Sequence, residues 1–87
     1  MTYNTENFGS NMRILRKLNQ VTQEELAKAL NTTRSTISNY ERGHRQPDNE
    51  MVAQVADFFD VSVDYLLGRT TVKMSVRDEM VLKELEK

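Results

Sequence analysis

Two short helical patterns follow one another between Thr22 and Gly43, and only the Asn-Thr-Thr sequence of residues 31–33 separates them. Helices of about two turns are not stable alone in water, so both need a shared core that also fixes the angle between them. The pattern therefore predicts an all-α domain built around two closely linked helices. Three Gly and one Pro among 87 residues agree with this, because a β-sandwich needs many more turn residues.

Capping signals predict where the helices begin and end. Thr22 and Glu25 have the spacing of a capping box, in which each side chain accepts a hydrogen bond from a free backbone N–H of the other residue. Ser, Thr and Asp are preferred N-caps, and glycine is preferred where a left-handed residue ends a helix. The further N-caps expected on this basis are Thr33, Asp48 and Ser62, and the expected helix ends are Gly43 and Gly68.

The whole chain is predicted to contain five helices in residues 7–68 and a sixth in residues 75–87. Residues 1–6 form a flexible polar arm, residues 69–74 form a linker, and the first helix covers residues 7–19. Apolar residues at spacings of three and four mark the inward faces. The expected core residues are Phe8, Met12, Leu15, Leu18, Leu26, Ala27, Leu30, Ile37, Tyr40, Val52, Val55, Ala56, Phe59, Val63, Leu66 and Leu67.

The sixth helix is amphipathic, but its apolar residues spread too widely for a single stripe. They are Val76, Met80, Val81, Leu82 and Leu85. This helix folds back on the domain, pairs with the same helix of a second subunit, or continues into a longer protein. We expect pairing, because residues 7–68 already form a complete domain, and this surface is also where a protein partner would bind.

Charge is distributed unevenly along the chain. The net charge of −1 by itself disfavours a nucleic-acid partner. However, residues 13–45 carry seven Arg and Lys against three Glu, a net charge of +4, whereas residues 46–68 carry five acidic residues and no Arg or Lys, a net charge of −5. Because an electrostatic field depends on where charges lie, the sequence predicts a polarised molecule.

The third helix has one continuous polar side. On a wheel of about 100° per residue, this side consists of Arg34, Ser35, Ser38, Asn39 and Arg42. Ordinary solvated faces are usually built from Glu and Lys pairs, whereas this one carries guanidinium, amide and hydroxyl groups. Arg forks onto guanine, Asn onto adenine, and Ser bonds either bases or phosphate. The pattern therefore favours contact with DNA bases.

Residues 23–42 resemble the helix-turn-helix of the phage-repressor and Cro family of DNA-binding proteins, which includes XRE-like regulators. The apolar positions of that motif are occupied by Leu26, Leu30, Ile37 and Tyr40. Ala27 stands where a small residue lets the helices cross closely. Asn31 replaces the usual turn glycine, and Thr32 replaces an aliphatic residue. The resemblance extends over residues 8–68 and implies a five-helix phage-repressor-like DNA-binding domain.

The resemblance also implies a role for individual residues. The residues that would read bases are Arg34, Ser35, Ser38 and Asn39. The residues that would contact the DNA backbone are Gln23, Thr33, Arg42, His44 and Arg45. Gln23 matches a residue that holds a phosphate at a helix N-terminus, where free N–H groups favour anions. Arg16 and Glu41 match an ion pair that ties the first helix to the third.

The function implied is that of a dimeric transcriptional repressor of phage or mobile-element type, binding double-stranded DNA at a pseudo-palindromic operator. Two alternatives remain: the antitoxin of a toxin–antitoxin pair, and a protein-interaction module without DNA binding. We expect no enzyme, metal site or cofactor, because the chain has no Cys and a single His, His44. Without a signal peptide or an apolar run of about 18 residues, we expect a cytoplasmic, nucleoid-associated protein.

Overall fold

The computed structural model describes residues 4–71, which fold into five helices. The helices are α1 (Phe8–Leu18), α2 (Gln23–Ala29), α3 (Arg34–Glu41), α4 (Asn49–Phe59) and α5 (Val63–Leu66). The all-α fold class is confirmed, and the bounds of α1 differ from the expected 7–19 because Asn7 and Asn19 are the caps. The helix expected over residues 75–87 lies outside the described residues.

Side chains of the predicted types begin four of the helices. Thr22 and Glu25 form the full capping box of α2, and Thr33 accepts a hydrogen bond from the backbone N–H of Thr36. Asp48 and Ser62 cap α4 and α5 in the same way. Each cap satisfies an N–H group that has no partner inside its own helix, so the sequence fixes these helix starts locally.

All five described helices end in the same left-handed turn, in which the residue after the left-handed one donates its N–H to the carbonyl five residues back. The residues with positive φ are Gln20, Asn31, Gly43, Asp60 and Gly68. Their returning bonds run from Val21, Thr32, His44, Val61 and Arg69, with donor–acceptor distances between 2.8 and 3.0 Å. Three of these positions hold a residue other than glycine, at a cost in backbone strain.

A single apolar core joins the helices. Its buried members are Phe8, Met12, Leu15, Leu26, Ala27, Leu30, Ile37, Tyr40, Val52, Val55, Ala56, Val61, Leu66 and Leu67, and Phe59 and Val63 pack against it half-buried. α1 packs against α3, α4 and α5, and α3 packs closely on α2. The core therefore holds α2 and α3 at a fixed angle, as the short helices require.

Leu18 is the one expected core residue that lies on the surface, with 65% of its area exposed. The prediction was wrong because it used spacing alone. On a helical wheel, Leu18 falls about 90° away from the centre of the buried face formed by Phe8, Met12 and Leu15. α1 also ends at this residue, so no following turn covers it.

Gly9 allows α1 to cross α3 in direct backbone contact. A Cβ atom at Gly9 would lie 1.9 Å from the carbonyl oxygen of Tyr40 and 2.8 Å from its carbonyl carbon. Beside this contact, the rings of Phe8 and Tyr40 pack edge to face, with centroids 5.6 Å apart. Only glycine leaves room for this crossing, which sets how α3 is presented on the surface.

Candidate nucleic-acid interface

The turn between α2 and α3 is short and fully hydrogen-bonded. Asn31 adopts the left-handed conformation with φ of 55°, and the N–H of Thr32 donates to the carbonyl of Ala27 at 2.9 Å. Thr33 then starts α3, and its hydroxyl also lies 2.9 Å from that of Thr36. The turn therefore forms with Asn in place of glycine, and the departure from the usual motif leaves its geometry intact.

The polar side of α3, which we call the polar arc, consists of Arg34, Ser35, Ser38, Asn39 and Arg42. Arg34, Ser35 and Arg42 are exposed, while Ser38 and Asn39 are half-buried. Ile37 and Tyr40, on the opposite side of the helix, are in the core. None of the arc side chains is buried by residues 4–71, so the described part of the chain leaves the arc open to a partner.

The loop that follows α3 is anchored to it by backbone bonds. Gly43 is left-handed with φ of 76°, and the N–H groups of His44 and Arg45 both donate to the carbonyl of Asn39, at 2.9 and 3.3 Å. The Arg45 guanidinium lies 5.9 Å from the centre of the Tyr40 ring, a contact that attracts a cation to the ring face. His44 and Arg45 are exposed and lie at a defined place beside the end of the arc.

Tyr40 itself stays neutral at physiological pH. Burial raises the pKa of its phenol, and Asp48 raises it further, while the positive charge of Arg45 acts in the opposite direction. An ordinary phenol already ionises only near pH 10. Tyr40 therefore serves as a packing residue and as the platform for Arg45.

Arg16 and Glu41 form a bidentate ion pair between α1 and α3. Nε of Arg16 donates to Oε2 of Glu41 at 2.7 Å, and Nη2 donates to Oε1 at 3.0 Å. Nη1 donates to the carbonyl of Val21 at 3.0 Å. The bond to Glu41 raises the pKa of Arg16. This parallel geometry fixes direction as well as distance, so the pair orients α3 relative to α1.

Gln23 joins this network, which sequence reasoning did not foresee. Its Nε2 donates to Oε1 of Glu41 at 3.1 Å, so the first residue of α2 is tied to the last residue of α3. The side chain is half-buried. Glu41 therefore connects all three of the first helices and fixes the position of the Gln23 amide.

An open groove runs beside the start of α2 and brings Gln23 and Arg34 to one surface. Lys17, Gln20, Thr22 and Glu24 also line it. Lys17 is a cation that sequence reasoning did not include in the site. The signal that could have identified Lys17 is its position in the last turn of α1. The chain turns back toward α2 shortly after that turn, so a side chain there lies close to the start of α2.

Metal-binding clusters and membrane-spanning helices are absent from the described residues. Among residues 4–71, no group of three or more His, Asp or Glu side chains is close enough to hold a metal ion. Over that range no helix combines the length and the apolar character needed to cross a membrane. The exposed cations and amides around α3 form the candidate functional site.

Known proteins resemble the chain over its helical part. A family model described as helix-turn-helix matches residues 12–66. The chain is 32% identical over 77 residues to the HTH-type transcriptional regulator ImmR of Bacillus subtilis, covering 88% of this chain and 61% of ImmR. It is also 32% identical over 76 residues to the antitoxin PezA of Streptococcus pneumoniae, covering 86% of this chain and 48% of PezA.

The fold is also found among solved structures. The P22 c2 repressor, in a crystal structure with synthetic operator 9T, matches with a TM-score of 0.68 and 29% sequence identity, over 76% of this chain and all of that one. This chain thus spans a whole P22 c2 chain of that structure, but only about three fifths of ImmR. Since the family model covers well over half of the sequence and the fold agrees, the chain belongs to the helix-turn-helix family of transcriptional regulators, of phage-repressor type.

Proposed function

We propose that this protein is a sequence-specific regulator of transcription that inserts α3 into the major groove of double-stranded DNA. The observation that carries the proposal is the exposed polar arc, held at a fixed angle by the core and the Arg16–Glu41 pair. The major groove of B-DNA is about 12 Å wide and admits one helix. The match to the P22 c2 repressor, whose structure contains an operator, supports the same placement.

Within this proposal, the side chains divide into two groups. Arg34, Ser35, Ser38 and Asn39 read base edges, and Gln23, Thr33, Arg42, His44 and Arg45 contact the sugar-phosphate backbone. Exposure supports contact with DNA for the cations of both groups, since Arg34, Arg42 and Arg45 are free of the core. For Gln23, the bond to Glu41 engages one N–H of the amide and leaves the second for a phosphate oxygen.

We further propose that the protein binds as a homodimer and represses transcription. Two copies of α3 then enter successive major grooves about 34 Å apart, and the operator is a pseudo-palindrome. Bound in this way, the dimer covers a promoter and excludes other proteins from it. Site selection from a random pool of duplex DNA tests both points, because a symmetric site requires a symmetric dimer, whereas a single half-site excludes it.

The base-reading assignment is tested by Arg34→Ala. We expect a loss of about 1–3 kcal/mol in binding and relaxed preference at one base pair. Arg42→Ala should instead weaken binding to all sequences and reduce the slope of log K against log salt by about 1. Arg69→Ala is the matched control, since Arg69 is an exposed arginine after α5 that pairs with Asp64 at 3.4 Å.

Two outcomes would contradict these assignments. If Arg34→Ala left base preference unchanged, α3 would not read bases through its first turn. If the wild-type chain failed to shift random duplex DNA at low salt, the protein would be an interaction module without DNA binding.

A second function is favoured by the similarity to PezA, which is an antitoxin. In that case this protein neutralises a toxin as well as binding DNA. Co-expression with the protein encoded beside it tests this directly. A stable complex that relieves growth inhibition supports the antitoxin function, and a neighbour without toxicity excludes it.

A further inference from the structure

The outer side of α1 carries an apolar surface that nothing in residues 4–71 covers. Ile14 is 54% exposed and Leu18 is 65% exposed. Together with Asn7 and Asn11 they lie within about 60° on a helical wheel, and we call these four residues the α1 stripe. Phe58, 41% exposed, is the only other large apolar side chain of the described residues that is exposed.

The end of the described chain lies against the first half of this stripe. Nδ2 of Asn11 donates to the carbonyl of Leu66 at 2.9 Å. A Cβ atom on Gly68 would lie 3.3 Å from the side-chain nitrogens of both Asn7 and Asn11. The chain therefore leaves α5 beside the half of the stripe that carries Asn7 and Asn11. The other half, with Ile14 and Leu18, follows directly along α1.

We propose that residues 75–87 pack along α1 and cover Ile14 and Leu18. Sixteen residues follow Thr71 in the sequence, and the apolar ones among residues 75–87 are Val76, Met80, Val81, Leu82 and Leu85. From Asn11 to Leu18 the stripe is only about 10 Å long, which residues 72–74 easily allow the following segment to reach. This inference is independent of DNA binding.

Charge favours this occupant over a second copy of the domain. Arg13 and Lys17 are exposed and flank the stripe on one side. Residues 75–87 carry four acidic and three basic residues, a net charge of −1; the acidic ones are Asp78, Glu79, Glu84 and Glu86, and the basic ones are Arg77, Lys83 and Lys87. If two stripes instead met across a two-fold axis, Arg13 and Lys17 of both copies would be brought together, and like charges at short range are unfavourable. The stripe therefore suits an amphipathic segment that can place carboxylates beside Arg13 and Lys17 better than it suits a second copy of itself.

The 87-residue chain contains no cysteine, so a single spin label reports position cleanly. We place a nitroxide at Ser10→Cys, beside the stripe, or at Asp57→Cys, beside Phe58; both sites are exposed. Amide signals of residues 75–87 should lose intensity with the label at position 10 and keep it with the label at position 57. Adding Leu18→Glu should restore the intensity, whereas Phe58→Glu, the matched change at the other exposed apolar residue, should not.

Core amide signals verify that each variant is folded. Contacts between copies are measured in a mixed sample. One chain in the mixture carries the isotope label and no nitroxide, and the other carries the nitroxide and no isotope label. Loss of intensity at the amide signals of residues 75–87 in that mixture would overturn the proposal in favour of a second copy. Absence of any effect from position 10, or an effect from position 57 alone, would also overturn it.

Discussion

Removal of the Glu41 carboxylate should be among the most destabilising single changes at the interface. The carboxylate accepts hydrogen bonds of 2.7 and 3.0 Å from Arg16 and of 3.1 Å from Gln23. The Glu41 side chain is 5% exposed and that of Arg16 is 12% exposed. Breaking a fully buried pair costs about 3–5 kcal/mol, whereas exposed pairs contribute at most about 1 kcal/mol.

Glu41→Ala falls between these limits, because Arg16 keeps its bond to the carbonyl of Val21 and regains some water. We expect a loss of about 2–4 kcal/mol, which for a domain of this size lowers Tm by roughly 10–25 °C. Urea unfolding followed by far-UV circular dichroism measures it. Glu24→Ala is the control, since Glu24 is exposed in the first turn of α2 and should cost below about 1 kcal/mol.

A loss below about 1 kcal/mol in Glu41→Ala would refute the reasoning, because the pair would then behave as a surface pair despite its burial. The double variant Arg16→Met with Glu41→Leu provides a second test. Apolar residues of similar size often replace a buried ion pair with little loss of stability. The double variant should therefore be more stable than Glu41→Ala alone.

Three further changes test the backbone and the caps. Gly9→Ala should destabilise the protein by about 3 kcal/mol in urea unfolding because its Cβ meets the Tyr40 backbone. It should cost more than Gly43→Ala, where nothing lies within 4 Å and only the positive φ of 76° opposes the change. Gln20→Gly should stabilise the folded protein by about 0.5–1 kcal/mol, since φ of 58° strains a residue with a Cβ. An unchanged midpoint of urea unfolding would contradict this. The hydrogen bonds to Thr22 lower the pKa of Glu25 in the folded protein. The stability that the Glu25 carboxylate contributes is therefore complete above its ordinary pKa of about 4.5, and it is lost as the pH falls through the lower pKa of the folded state. Between about pH 6 and pH 3, acid titration should therefore destabilise the wild type more than Glu25→Gln.

The helix starts could be predicted because each depends on a residue type at a fixed local spacing. Thr33 and Asp48 cap α3 and α4 as expected, since a hydroxyl or carboxylate near free N–H groups finds them without help from the rest of the fold. The same holds for left-handed glycines such as Gly43. Local chemistry was sufficient at these positions.

The left-handed residues Gln20 and Asp60 could not be recognised in this way. In each case the next residue is a valine that packs into the core: Val61 is buried and Val21 packs against the buried cluster. Core contacts of that valine impose the turn and overcome the local preference of the residue before it. Because this is a tertiary effect, residue type at position 20 carries no signal, and Asp60 carries only the weak preference of Asn and Asp for the left-handed region.

The site was predictable in outline but not in its connections. The polar arc follows from the period of a helix, and the Arg16–Glu41 pair follows from a family resemblance. The bond from Gln23 to Glu41 joins residues 18 positions apart and depends on the angle between α2 and α3. That angle is set by core packing and by the Gly9 crossing, which spacing along the sequence does not report.

The acidic residues Asp57 and Asp64 do not oppose a polyanion at the polar arc, because distance and salt separate them from it. Asp48 is the exception in the acidic half of the chain, since its charge reaches Tyr40 of α3. The acidic residues Asp57 and Asp64 lie on α4 and α5, which pack on α1, and α3 packs on α1 as well. A helix with its side chains is about 10 Å across, and at 0.1–0.15 M salt the Debye length is about 8–10 Å. A phosphate beside α3 therefore interacts mainly with Arg34, Arg42 and Arg45, and the net charge of −1 describes a total that no single surface of the molecule presents.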